Sequence, residues 1–230
     1  VAEALAAKPS PAKRPVAEDL LAHERDDRVR LALAVAAVAN GVDLLQVKAI
    51  LDTSSGRDGV TYARMLAAAK ADATARATLL EMGRDPKHPV LVREAVLDAV
   101  GDLPGAEAAA YGLERCAADP DPVVRASAAS LVGDHGAPAD AKALAALYDP
   151  AGGRTNQDLR AAIVEAVGKL GAKKDAGDAG AVAEALLARA LDDPAPSVRL
   201  AAREAAKGFP ALDDRAGGTD TRPNEWNGLP

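Results

Sequence analysis

Three histidines, one cysteine and a large stock of carboxylates are the side chains from which this chain of 230 residues could build a reactive centre. Such a centre needs a nucleophile with its base, a metal cluster or a phosphate cradle. His23, His88 and His135 are far apart in the chain, and each falls at or beside a turn between helical runs. That placement suits a turn or surface residue, not a base held against a nucleophile. Cys116 stands alone within Tyr111-Gly112-Leu113-Glu114-Arg115-Cys116-Ala117, most simply a buried helix position. One cysteine forms no internal disulfide and supplies no metal pair. The chain has no Gly-x-x-x-x-Gly-Lys loop, no His-Glu-x-x-His pair and no Cys-x-x-Cys. Gly152-Gly153 lacks the strand before and the helix after it that a phosphate site requires. Carboxylates at this density on helix faces read as solvated surface. The expectation is a protein without catalytic residues, cofactor or metal.

The elements that carry these residues are punctuated by a stretch that the chain writes twice. Asp119-Pro120-Asp121-Pro122-Val123-Val124-Arg125 returns, in register, as Asp193-Pro194-Ala195-Pro196-Ser197-Val198-Arg199. Proline stops one helix, because it lacks an amide proton and biases the residue before it toward extended backbone. The same residue type is welcome in the first turn of the next helix. Asp119, Asp121 and Asp193 can cap free amides there. Apolar positions then recur at helical spacing: Val124, Ala128, Leu131 and Val132, and again Val198, Ala201, Ala202 and Ala205.

Weaker copies centre on Arg30, Arg93 and Arg160, with Ala63-Arg64 filling the wide gap between the first two. Successive arginines from Arg30 through Arg93, Arg125 and Arg160 to Arg199 are 63, 32, 35 and 39 residues apart. Each interval holds a second helical run, so the unit is a helix–turn–helix, and stacked helix pairs make an α-solenoid. The Asp-Pro-x-x-x-Val-Arg-x-x-Ala signature resembles the HEAT repeat family in its short bacterial form, over residues 16–208. The resemblance implies an all-α, right-handed α-solenoid of about six units, approximately 16–41, 42–71, 72–103, 104–135, 136–176 and 177–208. Residues 1–15 read as a linker or N-terminal extension, and 209–230 as a polar tail without helical period that contains Trp226. That tail is either a cap docked over the last repeat, which the need to cover a terminal repeat favours, or a linker to a further domain or a recognition peptide. The resemblance also implies a ladder of motif side chains between neighbouring units, carried best by Asp119 or Asp121 with Arg125 and by Asp193 with Arg199. Arg30, Arg93 and Arg160 occupy the corresponding positions. In such a stack the second helices line the concave face. Their outward positions, with Trp226 of the tail, are the candidate partner-binding residues: Glu94, Asp98, Ser130, Glu165, Lys169, Arg203, Glu204 and Lys207.

Composition narrows the partner. Aromatic residues are 2% of a chain that is 49% hydrophobic, most of the difference being alanine, which favours helix over strand. The net charge is −6, with 28 Lys and Arg against 34 Asp and Glu, which disfavours nucleic acid. No apolar run approaches the roughly 20 residues that span a bilayer. The expectation is a scaffold for a protein or peptide. The alternative is an accessory region of a larger enzyme or complex, for which the Pro-rich start and the first residue, Val1, are the motive. HEAT-like repeats also resemble parts of chromophore lyases and of DNA glycosylases. Neither a lyase cleft nor a basic face with aromatics can be assembled from these residues. The single cysteine suits a reducing compartment, with cytoplasm favoured over export.

Overall fold

The computed structural model describes residues 1–49, 56–152 and 156–217, and every regular element among them is helical. The chain forms two compact units, Val1–Leu103 and Pro104–Pro230.

In the first unit the chain runs through α1 (Ala2–Ala7), α2 (Arg14–His23), α3 (Asp27–Ala39), α4 (Leu44–Lys48), α5 (Gly56–Ala68), α6 (Ala73–Arg84) and α7 (Val90–Val100). Aspartates start three of them: the side chains of Asp26, Asp43 and Asp72 each accept from two backbone N–H groups of the first turn. Those bonds satisfy amides that a helix start leaves open. Helices α3, α5 and α7 lie side by side, with α1 continuing the row beyond α3, while α2 packs on α3 and α6 on α5 and α7. Leu33, Met65, Leu66, Leu79, Val92 and Val96 fill the space between. The N-terminal residues are folded onto this row. Buried Asn40 donates to the carbonyls of Leu5 (3.1 Å) and Ala36 (2.7 Å) and accepts from the Ser10 amide (2.8 Å).

Two glycine signals mislead. Gly83, a residue type that commonly ends a helix, lies inside α6 and is buried. The helix ends at Asp85, whose backbone turns extended before Pro86 (φ −75°, ψ 110°). The stretch 53–59 reads as a loop, yet Gly56 to Gly59 open α5; residues 50–55 lie outside the described residues. Burial of α5 between α3 and α7 outweighs the weak intrinsic helicity of glycine.

The second unit comprises α8 (Gly105–Ala118), α9 (Pro122–His135), α10 (Asp140–Ala145), α11 (Gln157–Gly171), α12 (Asp178–Ala190), α13 (Pro196–Ala206) and α14 (Asp213–Ala216). Pro122 and Pro196 each occupy the first turn of their helix. Helices α9, α11 and α13 form a row backed by α8, α10 and α12. The row is close because small residues meet: a Cβ placed on Gly133 would lie 2.8 Å from Cα and Cβ of Ala166, and one on Gly168 would lie 2.8 Å from Cβ of Ala205. Residues 209–216 depart from the expected irregular tail. Phe209 and Leu212 are buried, Pro210–Leu212 forms a 3₁₀ turn, α14 packs on α13, and Arg215 pairs with Asp192 at 2.8 Å. Apolar burial three residues apart supplies the helical drive there. Trp226 lies outside the described residues.

Candidate functional site

The second helices of the first unit present a grooved face. Alternate turns of α5 and α7 put Ala67, Ala95 and Ala99 on a shallow floor, and Arg64, Lys70 and Asp98 line the same depression of about 720 Å³. Small side chains leave the space, because alanine ends at Cβ. Lys70 closes one rim by donating from Nζ to the Asp102 carbonyl, 3.1 Å away. Of the two acidic residues expected on this face, Asp98 is exposed and lines the groove, while Glu94 is half-buried outside it. Arg64 enters the sequence reading only as the marker of a degenerate repeat; here it is an exposed groove residue.

In the second unit the corresponding positions are exposed, except for the half-buried Arg203. Several are engaged within the chain. Lys169 of α11 pairs with Asp134 of α9 at 2.7 Å, Glu204 pairs with Lys207 one turn away, and the Ser130 hydroxyl donates to the Ala126 carbonyl at 3.3 Å. Both ion pairs are more than half exposed and add little to stability. Glu165 stands exposed on the same row.

The repeat-motif residues serve a different end. Arg30 pairs with Asp27 at 2.9 Å, and Arg93 is buried. Asp121 caps α9 by accepting from the Val123 amide, and Asp119 accepts from the Asp121 amide (2.9 Å) with Arg115 at 3.8 Å. Arg125 donates from Nε to the carbonyl of Cys116 (2.7 Å), tying α9 to the end of α8. The expected coupling of Asp193 with Arg199 runs through main chain: Arg199 donates to the carbonyls of Asp193 and Pro194, each at 2.9 Å. The Asp193 carboxylate instead receives Arg160 of the preceding pair, at 2.9 and 3.0 Å, together with the Tyr148 hydroxyl (2.6 Å) and the Ala195 amide (2.8 Å). It faces α11 from the turn before α13, whereas the Arg199 side chain folds back along that turn.

Burial by itself would push the Asp193 carboxyl up; the bonds from Arg160, Tyr148 and Ala195, with the Arg160 charge, outweigh it and hold the group below the usual carboxylate range. Burial, followed by the hydrogen bond and charge of Asp193, holds the Tyr148 phenol well above its ordinary value. Both Asp193 oxygens are occupied by protein donors and the cluster is closed to solvent, so its chemistry is structural. Among the described residues no group of three or more His, Cys, Asp or Glu is placed to hold a metal ion, and no helix is long and apolar enough to cross a membrane.

Helix pairs whose second members lie in a row, each touching its neighbour, define the class of α-helical repeat proteins. The particular repeat that the chain resembles is given over much of the second unit: residues 113–207 match the family model for HEAT repeats. The chain matches no curated protein and no solved structure.

Proposed function

We propose that the chain is a non-catalytic scaffold that binds a protein or peptide on the exposed face of its second helices. The observation that carries this reading is the alanine-floored groove of the first unit, where Asp98 and Arg64 stand exposed on one surface. A shallow floor of small side chains admits an incoming backbone or side chain, and charges of both signs at its edge fix register more than they add affinity. The net charge of −6 favours a polypeptide over nucleic acid as the partner. HEAT repeats commonly mediate protein interactions, which agrees with this role.

The test is site-specific photo-cross-linking in the source cells. A photoreactive residue at Asp98 or Glu165 should yield adducts with protein, while the exposed positions Ala77 on α6 and Ala181 on α12, in the other layer, should not. Adducts equal at all four positions, or none at Asp98 and Glu165, would overturn the proposal.

A further inference from the structure

The same face carries a second depression, about 430 Å³, at the N-terminal ends of α3, α5 and α7. Its residues follow a helical stripe: Arg28 and Leu31 on α3, Arg57, Val60 and Arg64 on α5, and Leu91 on α7. Three arginines thus surround an apolar floor, and no carboxylate lines it. Arg28, Arg57 and Arg64 are all exposed, and none of their guanidinium groups has a hydrogen bond or ion pair with a described residue. The acidic side chains of those first turns lie off the stripe; Asp27 is paired with Arg30. Leu91, 59% exposed, carries the apolar floor out to the surface of the groove.

Helix stability does not account for this arrangement. Arg28 and Arg57 sit in the first turns of α3 and α5, where the macrodipole is positive and a cation is disfavoured. The helix ends add their own partial positive charge to the same spot. In a chain of net charge −6, a groove bearing three cations and no anion is a local inversion. Its complement is negatively charged and, because Leu31, Val60 and Leu91 form the floor, also apolar.

We propose that this groove takes an acidic segment of a partner protein in which glutamates or aspartates are interspersed with large apolar residues. The assignment rests on the scaffold reading above and specifies a ligand for the first unit. Carboxylates meet Arg28, Arg57 and Arg64, and apolar side chains cover Leu91 and Val60. A nucleic acid satisfies the charge but offers stacked bases and phosphates where the floor asks for aliphatic contact, with no aromatic side chain lining the groove to receive a base.

Fluorescence anisotropy on the full chain tests this with four probes: a peptide interspersing glutamate and leucine, the same peptide with lysine for glutamate, the same with serine for leucine, and an oligothymidylate of equal charge. The first should bind about tenfold or more tightly than the others and weaken with salt. Arg28→Glu/Arg57→Glu should cost it about tenfold or more, with helical content kept because an acidic residue suits a helix start. Leu91→Ser should weaken the leucine peptide and leave the serine peptide unchanged. Equal binding of the lysine peptide, an unaffected charge-reversal variant, or an oligothymidylate bound as tightly as the acidic peptide would overturn the assignment. Failure of the acidic peptide alongside protein adducts at Asp98 and Glu165 would remove this ligand and leave the scaffold; absence of both would remove the two together.

Discussion

Arg160 of α11 grips Asp193 in the turn before α13 with both ends of its guanidinium, Nε to Oδ2 at 2.9 Å and Nη2 to Oδ1 at 3.0 Å, and both side chains are buried. The pair joins consecutive helix pairs across 33 residues of sequence. Tyr148, three residues beyond the end of α10, donates to the same carboxylate, and Arg189 lies 5.5 Å from the centre of its ring. One carboxylate therefore organises three elements of the second unit.

Removing a single partner strands the other. Arg160→Met should cost about 3–5 kcal/mol of stability, because it leaves a buried carboxylate without its counter-charge. Arg160→Met/Asp193→Leu should cost less than the two single substitutions together, with a coupling of roughly 0.5–3 kcal/mol. Urea denaturation of the four proteins measures this. Additive losses would show that the two side chains contribute independently.

The cluster also sets two pH limits. Asp193 is held below its unfolded value of 3.8, so its contribution is present above that pH and lost as pH falls through the native value. Tyr148 is held above its unfolded value of 10.0, so its contribution is present below that pH and lost as pH rises through the native value. Tyr148→Phe should flatten the alkaline limb of the stability profile and keep the acid limb, at a cost of about 1–3 kcal/mol near neutrality. An alkaline limb unchanged in the variant would assign it to other groups.

Local chemistry was legible and distant geometry was not. The bounds of α3, α7 and α8 follow from punctuation that acts within one turn: the Asp26 cap, Pro89 and Pro104. The partner of Asp193 depends on how far α11 is offset from α13, which no residue near Asp193 encodes. Gly83 and Gly56 mislead a reading by residue type because glycine's weak helix propensity yields to burial, and burial is a property of neighbours. On the candidate face Asp98 could be found by helical period alone. Arg28 and Arg57 could not: each is an ordinary surface residue until α3, α5 and α7 are laid side by side. The signal for the ordered segment after α13 was present, in Phe209 and Leu212 spaced three apart.

Close helix approach makes the glycines of the second unit unequal. Gly133 and Gly168 stand eight residues after Arg125 and Arg160, and they abut alanines six residues after Arg160 and Arg199. Gly133→Val should destabilise by about 1–3 kcal/mol through overpacking. Gly180, near the start of α12, has nothing closer to an added Cβ than the Gly171 carbonyl at 3.8 Å. Gly180→Ala should therefore stabilise by about 0.4–1 kcal/mol. Thermal melts compare them directly, and a shift of the same sign in both would mean that the glycines serve no packing role.

Cys116 offers a reporter for opening of the α8–α9 pair. Burial, opposed by the nearby charge of Arg125, pushes its thiol up to about 11. Alkylation requires thiolate and access, so the native protein should react far more slowly at neutral pH than the protein in denaturant. The reaction then proceeds through transient opening, and its rate reads the population of the open form. Arg125→Ala removes the bond from Nε to the Cys116 carbonyl that ties α9 to the end of α8. Loss of a hydrogen bond from a charged donor is worth about 1.5–3 kcal/mol, which should speed alkylation by about tenfold or more. A native rate matching that in denaturant would show Cys116 to be accessible, and an unchanged rate in Arg125→Ala would mean that the latch does not control opening.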